Sequence, residues 1–172
     1  LVDDTVIRGH QHAAGASGSE ANSEALGYSK GGFSTKIHLR REGNGKPVTF
    51  LLSVGQRNEA VMFESLMEQG KVKRSARGRP RLRPQRVAGD KAYTGRPIRL
   101  SLRRRGIGAV IPRRASESRQ GTRFDRQAYR ERNRIERTIN CFKQFRRIAT
   151  RYEKRAQNYL AMLTIAAILF WL

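Results

Sequence analysis

Acidic side chains are scarce in this sequence, and several stand where folding alone gives no reason for a carboxylate. Of 172 residues, 36 are Lys or Arg and only 14 are Asp or Glu. The four aspartates are Asp3, Asp4, Asp90 and Asp125. Asp125 lies in a polar stretch and is expected to cap a helix. Asp3, Asp4 and Asp90 fall inside short strand-like segments, Leu1–Arg8 and Arg86–Ala92. A strand aspartate is unfavourable by propensity and costly when buried without a partner. Two partners would relieve that cost. One is an arginine in an ion pair at the strand end. The other is a divalent cation, since Mg²⁺ takes oxygens from one or two carboxylates together with waters and substrate phosphates.

A third carboxylate comes from a helix. Tyr129, Arg132, Glu136 and Lys143 are spaced by three, four and seven residues, which puts all four on one helical face. The apolar stripe Ile135, Ile139 and Phe142, which Phe145 and Ala149 would extend, runs alongside. Glu136 therefore stands at the border of the buried surface, where a helix can present a carboxylate to a sheet. The same spacing also fits a solvated Arg132–Glu136 pair at i,i+4, worth about 0.2–0.5 kcal/mol.

The charge balance indicates what such carboxylates would face. The formal net charge is +22. That much self-repulsion destabilises a compact state unless a polyanion relieves it. Nucleic acid is the expected partner, because neutralised phosphates release counterions. Most of the excess is Arg, whose planar fork suits phosphate better than Lys does, and this favours nucleic acid over an anionic membrane surface. Carboxylates repel phosphates, so an acidic cluster beside DNA makes sense chiefly when metal ions bridge the two. Two ions about 4 Å apart can activate an attacking oxygen and stabilise a leaving one.

The elements that must position these residues read as follows. Leu1–Arg8 is a strand and Gly9–Ser29 a loop rich in Gly, Ala, Ser and Asn. Phe33–Arg40 alternates as a strand, Glu42–Lys46 turns, and Val48–Val54 returns. Glu59–Gln69 is an amphipathic helix. Lys71–Arg86 is a basic loop with Pro80 and Pro84; Arg86–Ala92 is a strand around Asp90. Arg96–Arg105 is a helix, Ile107–Pro112 a strand, and Ala115–Gly121 a loop. One long helix is expected from Asp125 to about Tyr152, and an apolar, buried one over Asn158–Leu172. Strands followed by alternating helix and strand predict an α/β fold, a mixed sheet flanked by helices, in a single domain over 1–172.

Several segments together resemble the DDE transposases of bacterial insertion sequences, the IS-five family in particular. Tyr129, Arg132, Glu136 and Lys143 fit the Y-x2-R-x3-E-x6-K signature. DDTVIRGHQHAAGA at Asp3–Ala16, KGGFSTKIH at Lys30–His38, RGRPR at Arg77–Arg81 and AGDKAY at Ala88–Tyr93 look similar to the same group. QFRRIATRYEK and NYLAMLTIAAILFWL extend the likeness over nearly the whole chain. The resemblance implies a ribonuclease-H-like fold with Asp3, Asp90 and Glu136 as catalytic metal ligands, holding Mg²⁺ or Mn²⁺, two ions in all. The family's D-x-T pattern points to Asp3 rather than Asp4, and strand alternation turns the two to opposite faces. Arg132, Lys143 and Tyr129 would contact DNA, with the Arg77, Arg79 and Arg81 loop on phosphates or in a minor groove.

The implied reaction is hydrolysis of a phosphodiester at the element's terminal inverted repeats, freeing a 3′-OH that attacks target DNA. A dimer or larger complex, cytoplasmic and on the nucleoid, would carry it out. Residue 1 is Leu and a strand begins at once, so a segment upstream is expected. In the family that segment is a DNA-binding region, often from a separate reading frame. A non-catalytic basic DNA-binding protein, or an inactive remnant, is the competing reading.

Other features carry less. His10 and His12 lack a third nitrogen or sulfur ligand nearby and read as a turn. Lys30-Gly31-Gly32 lacks phosphate-loop spacing. Cys141, the lone cysteine, excludes an internal disulfide and reads as a small core or boundary residue. The apolar run Leu160–Leu172 is shorter than the roughly 20 residues that span a bilayer.

Overall fold

The computed structural model of the chain describes residues 1–15, 23–70, 83–117 and 124–172. Strand β1, Val2–Gly9, pairs antiparallel with β3, Gly32–Arg41. On its other edge β3 pairs antiparallel with β4, Pro47–Val54, and with the short β2, Gly27–Ser29. The β3–β4 turn needs Gly45, whose φ of 109° suits glycine. Helix α1, Glu59–Gln69, begins where Asn58 accepts from the Ala60 N–H at 2.9 Å. Strand β5, Arg86–Ala88, lies parallel to β6, Gly108–Val110, across helix α2, Arg96–Arg104. Helices α3 (Arg126–Arg130), α4 (Asn133–Lys143) and α5 (Arg146–Ala149) lead to β7, Thr150–Arg151, parallel to the end of β1. Helix α6, Ala156–Leu169, closes the fold.

Period-two alternation on β1 and β3 splits the interior into two apolar layers. Ile7, Ile37, Leu39 and Phe50 face Ile135, Ile139 and Phe142 of α4, with Tyr159 and Leu163 of α6. Val2 faces the other way, onto Phe63 and Leu66 of α1, Tyr93, and Ile98 and Leu102 of α2. This curled mixed sheet flanked by helices is compatible with the ribonuclease-H-like fold that the resemblance implies.

Five expectations are corrected. The loop over Gly9–Ser29 contains strand β2. Asp90 is not inside a strand: β5 ends at Ala88, and Asp90 caps a 3₁₀ turn, Lys91–Tyr93. The helix from Asp125 to Tyr152 is three helices and a strand. Near Arg132 the chain tightens into three-residue spacing, with Arg132 N–H bonded to Tyr129 O and Ile135 N–H to Arg132 O, both at 2.9 Å. At Phe145 the backbone becomes extended (φ −78°, ψ 109°), which lets Ile148 reach the core and β7 reach β1. The terminal helix is buried along Tyr159, Leu163, Ala166 and Ala167 only. Ile165, Ile168, Leu169 and Leu172 are exposed, because the sheet covers one side of a helix that is apolar all round. Cys141 is exposed on α4 rather than at a core boundary.

Candidate active site

Asp3 sits on the α4 face of β1, opposite Leu39, and its side chain is only 9% exposed. Arg132 donates to it from Nη2, at 3.2 Å to Oδ1 and 3.4 Å to Oδ2. The same guanidinium donates from Nη1 to Glu136 Oε1 at 2.5 Å. Residues near the two ends of the chain thus meet through one cation. Of the alternatives weighed from the sequence, the ion pairs are the ones present: Arg132 with Asp3, and the i,i+4 pair of Arg132 with Glu136. Glu136 is about half exposed and reaches the site from the outside.

Burial raises the Asp3 carboxyl above its usual range; Arg132 opposes this, and the nearby Asp90 charge adds to it. Burial on its own would lower the Arg132 guanidinium, but Asp3 and Glu136 outweigh it and hold it raised. The Arg132 Nε–H is buried, with no hydrogen-bond partner among the described residues. Asp90 belongs to the same electrostatic cluster, at the end of β5, with its carboxylate accepting from the Ala92 N–H at 2.8 Å. Asp125 caps α3 as expected, accepting from Ala128 N–H at 2.9 Å.

Asp4 projects to the opposite face. Its neighbours there are Lys36 Nζ, 3.7 Å from Oδ2, and Tyr93 OH, 3.3 Å from Oδ1. Burial and the adjacent Glu59 charge push its carboxyl up to about 7. Lys36 bonds directly to Glu59, whose carboxyl is held below its usual range: burial raises it, and the lysine outweighs burial. One cation therefore serves two acids and ionises the nearer one. Sequence reasoning missed Lys36, Glu59 and Tyr93. A basic residue at a central-strand position and a tyrosine three residues after an unusual aspartate were the available signals.

Lys143 is exposed and lines, with Thr5 and Ile7, a small cavity on the Asp3 face of β1. Tyr129 is half-buried, its ring 5.3 Å from that of Phe124. Arg77, Arg79 and Arg81 lie outside the described residues. His10 and His12 form a turn: His10 Nδ1 accepts from the His12 N–H, and its ring lies 4.7 Å from that of Tyr152.

Carboxylate oxygens are the donors that Mg²⁺ and Mn²⁺ prefer. A cation, Arg132, already lies between Asp3 and Glu136, so the cluster attracts positive charge. Among the described residues no three acids, histidines or cysteines close on one point as ligands. The donors are of the chemical type a divalent ion takes, but they are not gathered on one point, and Arg132 stands between Asp3 and Glu136. Among the described residues no helix is long and apolar enough to cross a membrane.

A chain whose sheet and late helix carry acids in this order belongs to a recognised class. The family profile of the transposase DDE domain matches residues 1–171, and the chain belongs to that family. It is also 31% identical over 135 residues to a Burkholderia cepacia protein, "Putative transposase for insertion sequence element IS402". That match covers 78% of this chain and 61% of the relative, so the chain spans less than two thirds of the relative's length. No solved structure matches.

Proposed function

We propose that this chain is the catalytic domain of an insertion-sequence transposase of the IS-five type. It cuts phosphodiesters at the element's terminal inverted repeats and joins the freed 3′-OH to target DNA. Asp3, Asp90 and Glu136 would hold Mg²⁺ or Mn²⁺, two ions. The observation that carries this reading is the match of residues 1–171 to the transposase DDE domain; the Arg132 bridge, which brings Glu136 within one guanidinium of Asp3, accords with it.

Bound metal would activate the attacking oxygen and offset charge on the leaving one. The chain's own groups supply the rest. Asp3 is fixed by β1, so its oxygens need no reorganisation when a cation arrives. Asp90 is held at a turn by its cap to Ala92. Arg132, once displaced from Asp3, carries its charge to a phosphate near the scissile bond. Lys143, at the end of α4 and lining one cavity with Thr5 and Ile7, holds the flanking backbone. Tyr129 braces α3 through Phe124 or stacks on DNA. Arg77, Arg79 and Arg81 add phosphate contacts. The proposed partners are both DNA ends, target DNA, the product of an upstream reading frame, and a second copy of the chain.

The test joins the chain to that upstream region and incubates it with element-end DNA and Mn²⁺. Asp90→Asn and Glu136→Gln should each abolish nicking while DNA binding survives. Cleavage retained by both variants overturns the assignment of these ligands, and absence of Mn²⁺-dependent nicking by the parent chain leaves a non-catalytic DNA-binding protein. In that case the Arg132 contacts are structural ion pairs only.

A further inference from the structure

The face of β1 opposite Asp3 holds a buried polar cluster that the reaction above does not use. Lys36 donates to Arg57 O at 2.8 Å and also bonds Glu59, so it is fixed beside Asp4 from two sides. Tyr93 is fully buried, its ring 6.0 Å from that of Phe63, and its OH donates to Asp4 Oδ1 at 3.3 Å. Gly89 is pressed onto the same strand. A β-carbon there would lie 3.0 Å from Val2 Cγ2 and 3.2 Å from Tyr93 Cδ2. The segment 89–93 therefore touches β1 at two points, Gly89 on Val2 and Tyr93 on Asp4. Asp90 lies between the first point and the second, and Asp3 lies between Val2 and Asp4. In sequence the two contacts flank Asp90 and Asp3; in space both hold the 89–93 segment on the Val2 and Asp4 face of the strand whose other face carries Asp3.

We propose that Tyr93 and Asp4 are positioning residues whose hydrogen bond, with the Gly89–Val2 contact, sets where Asp90 stands relative to Asp3. This rests on the reading that Asp3 and Asp90 are metal ligands. Mg²⁺ tolerates little departure from oxygen distances of about 2.0–2.1 Å, so a turn displaced by a few tenths of an ångström loses affinity. Groups that orient metal ligands typically carry about 10–100-fold in affinity. Lys36 and Glu59 have the supporting task of keeping Asp4 in place for the tyrosine.

The test is Mn²⁺ binding to the 172-residue chain without DNA, followed by the electron paramagnetic resonance of free Mn²⁺. Thermal unfolding of each variant in chelator runs alongside. Tyr93→Phe and Asp4→Ala should each weaken Mn²⁺ binding about tenfold or more in the folded protein. Asp4→Asn, which keeps an oxygen for the tyrosine, should return most of what Asp4→Ala loses. The double variant Tyr93→Phe with Asp4→Ala should bind no more weakly than either single, because both remove one bond. Gly89→Ala should weaken binding by separating the turn from Val2. A Tyr93→Phe protein with the parental Kd, beside an Asp90→Asn protein that has lost binding, overturns the positioning role and leaves the ligands standing. Parental binding by both Asp3→Asn and Asp90→Asn overturns the ligand reading, and the positioning role with it. Should Tyr93→Phe fail to fold, the pair Asp4→Ala and Asp4→Asn takes its place: weak binding by the first with recovery in the second supports the positioning role, and parental binding by both overturns it.

Discussion

Replacing Arg132 by Met leaves the Asp3 carboxylate buried with no cation. Removing one partner of a buried ion pair costs about 3–5 kcal/mol. The Arg132 side chain is 18% exposed, so water already screens part of the attraction, and Asp3 can take up a proton instead. The lost Arg132–Glu136 pair adds only about 0.2–0.5 kcal/mol, because Glu136 is half exposed. Met also removes a buried Nε–H that lacks a partner, which returns some stability. The net expectation is a loss of about 2–3 kcal/mol in metal-free buffer near neutral pH. For a chain of this size that lowers Tm by roughly 5–10 °C. The pH dependence gives an independent check. The folded carboxyl of Asp3 already lies above its ordinary value, and losing Arg132 raises it further. A raised acid contributes stability that is complete below its unfolded value and lost as pH rises through the folded one. The gap between variant and parent should therefore narrow as pH falls from about 8 towards about 5. Mn²⁺ should raise the Tm of the variant by more than that of the parent, because no guanidinium has to be displaced first. Equal Tm for the two proteins across this range, measured by circular dichroism, refutes the idea that Arg132 neutralises Asp3.

Three further expectations follow from the same geometry. Asp4, pushed up to about 7 by burial and Glu59, contributes stability that is complete below about pH 4 and lost as pH rises through 7; Asp4→Asn should flatten the unfolding free energy over that window in urea titrations. Arg151 is fully buried and donates to Thr35 Oγ1 at 3.2 Å and to the Glu153 and Lys154 carbonyls at 2.9 and 3.1 Å, so Arg151→Met should cost about 3 kcal/mol or more and lower the urea midpoint sharply. Lys143→Ala should reduce the slope of log binding constant against log salt by about 0.9 for duplex DNA, whereas a variant of the ion-paired Arg105 should leave it nearly unchanged.

The outline of the sheet is legible in the sequence because β1, β3 and β4 combine alternation with a Gly-Asn-Gly turn. Both signals are local. Helix α1 is legible to the residue for the same reason, with Asn58 as cap and Gly70 beyond its end. What escapes a sequence reading depends on distant packing. The bend at Phe145 exists because Ile148 must enter the core and Arg151 must reach Ala25 and Thr35, more than a hundred positions away. No spacing within 126–152 encodes that. Asp90 reads as part of a strand because Val87 and Ala88 do, while the turn after them is closed by its own side chain. At the site, the face shared by Arg132 and Glu136 is readable from helical spacing. The cluster of Lys36, Glu59 and Tyr93 around Asp4 is not, because alternation on β3 gives no sign that its second face is also covered.

The contrast between the two aspartates bears on which of them could exchange its cation for a metal ion. Asp3 and Asp4 are neighbours on one strand, both are largely buried, and each has one basic partner. Lys36, on the central strand, is bonded to Arg57 O and Glu59 as well, so it cannot move away from Asp4 without breaking those bonds too. Arg132 comes from a helix terminus, is partly exposed, keeps one donor unsatisfied, and has as its second partner a half-exposed glutamate. Its release costs little more than the contact with Asp3 itself, which an incoming divalent ion would replace with a stronger one. The lysine on one face is a fixed counter-charge and the arginine on the other is a replaceable one. On this physical ground the metal site proposed above is better served by Asp3 than by Asp4. Asp3→Asn should then remove Mn²⁺ binding outright, while Asp4→Asn should weaken it only through the turn that carries Asp90. Calorimetric titration of the two variants side by side decides the point, and loss of binding in Asp4→Asn alone reverses the assignment.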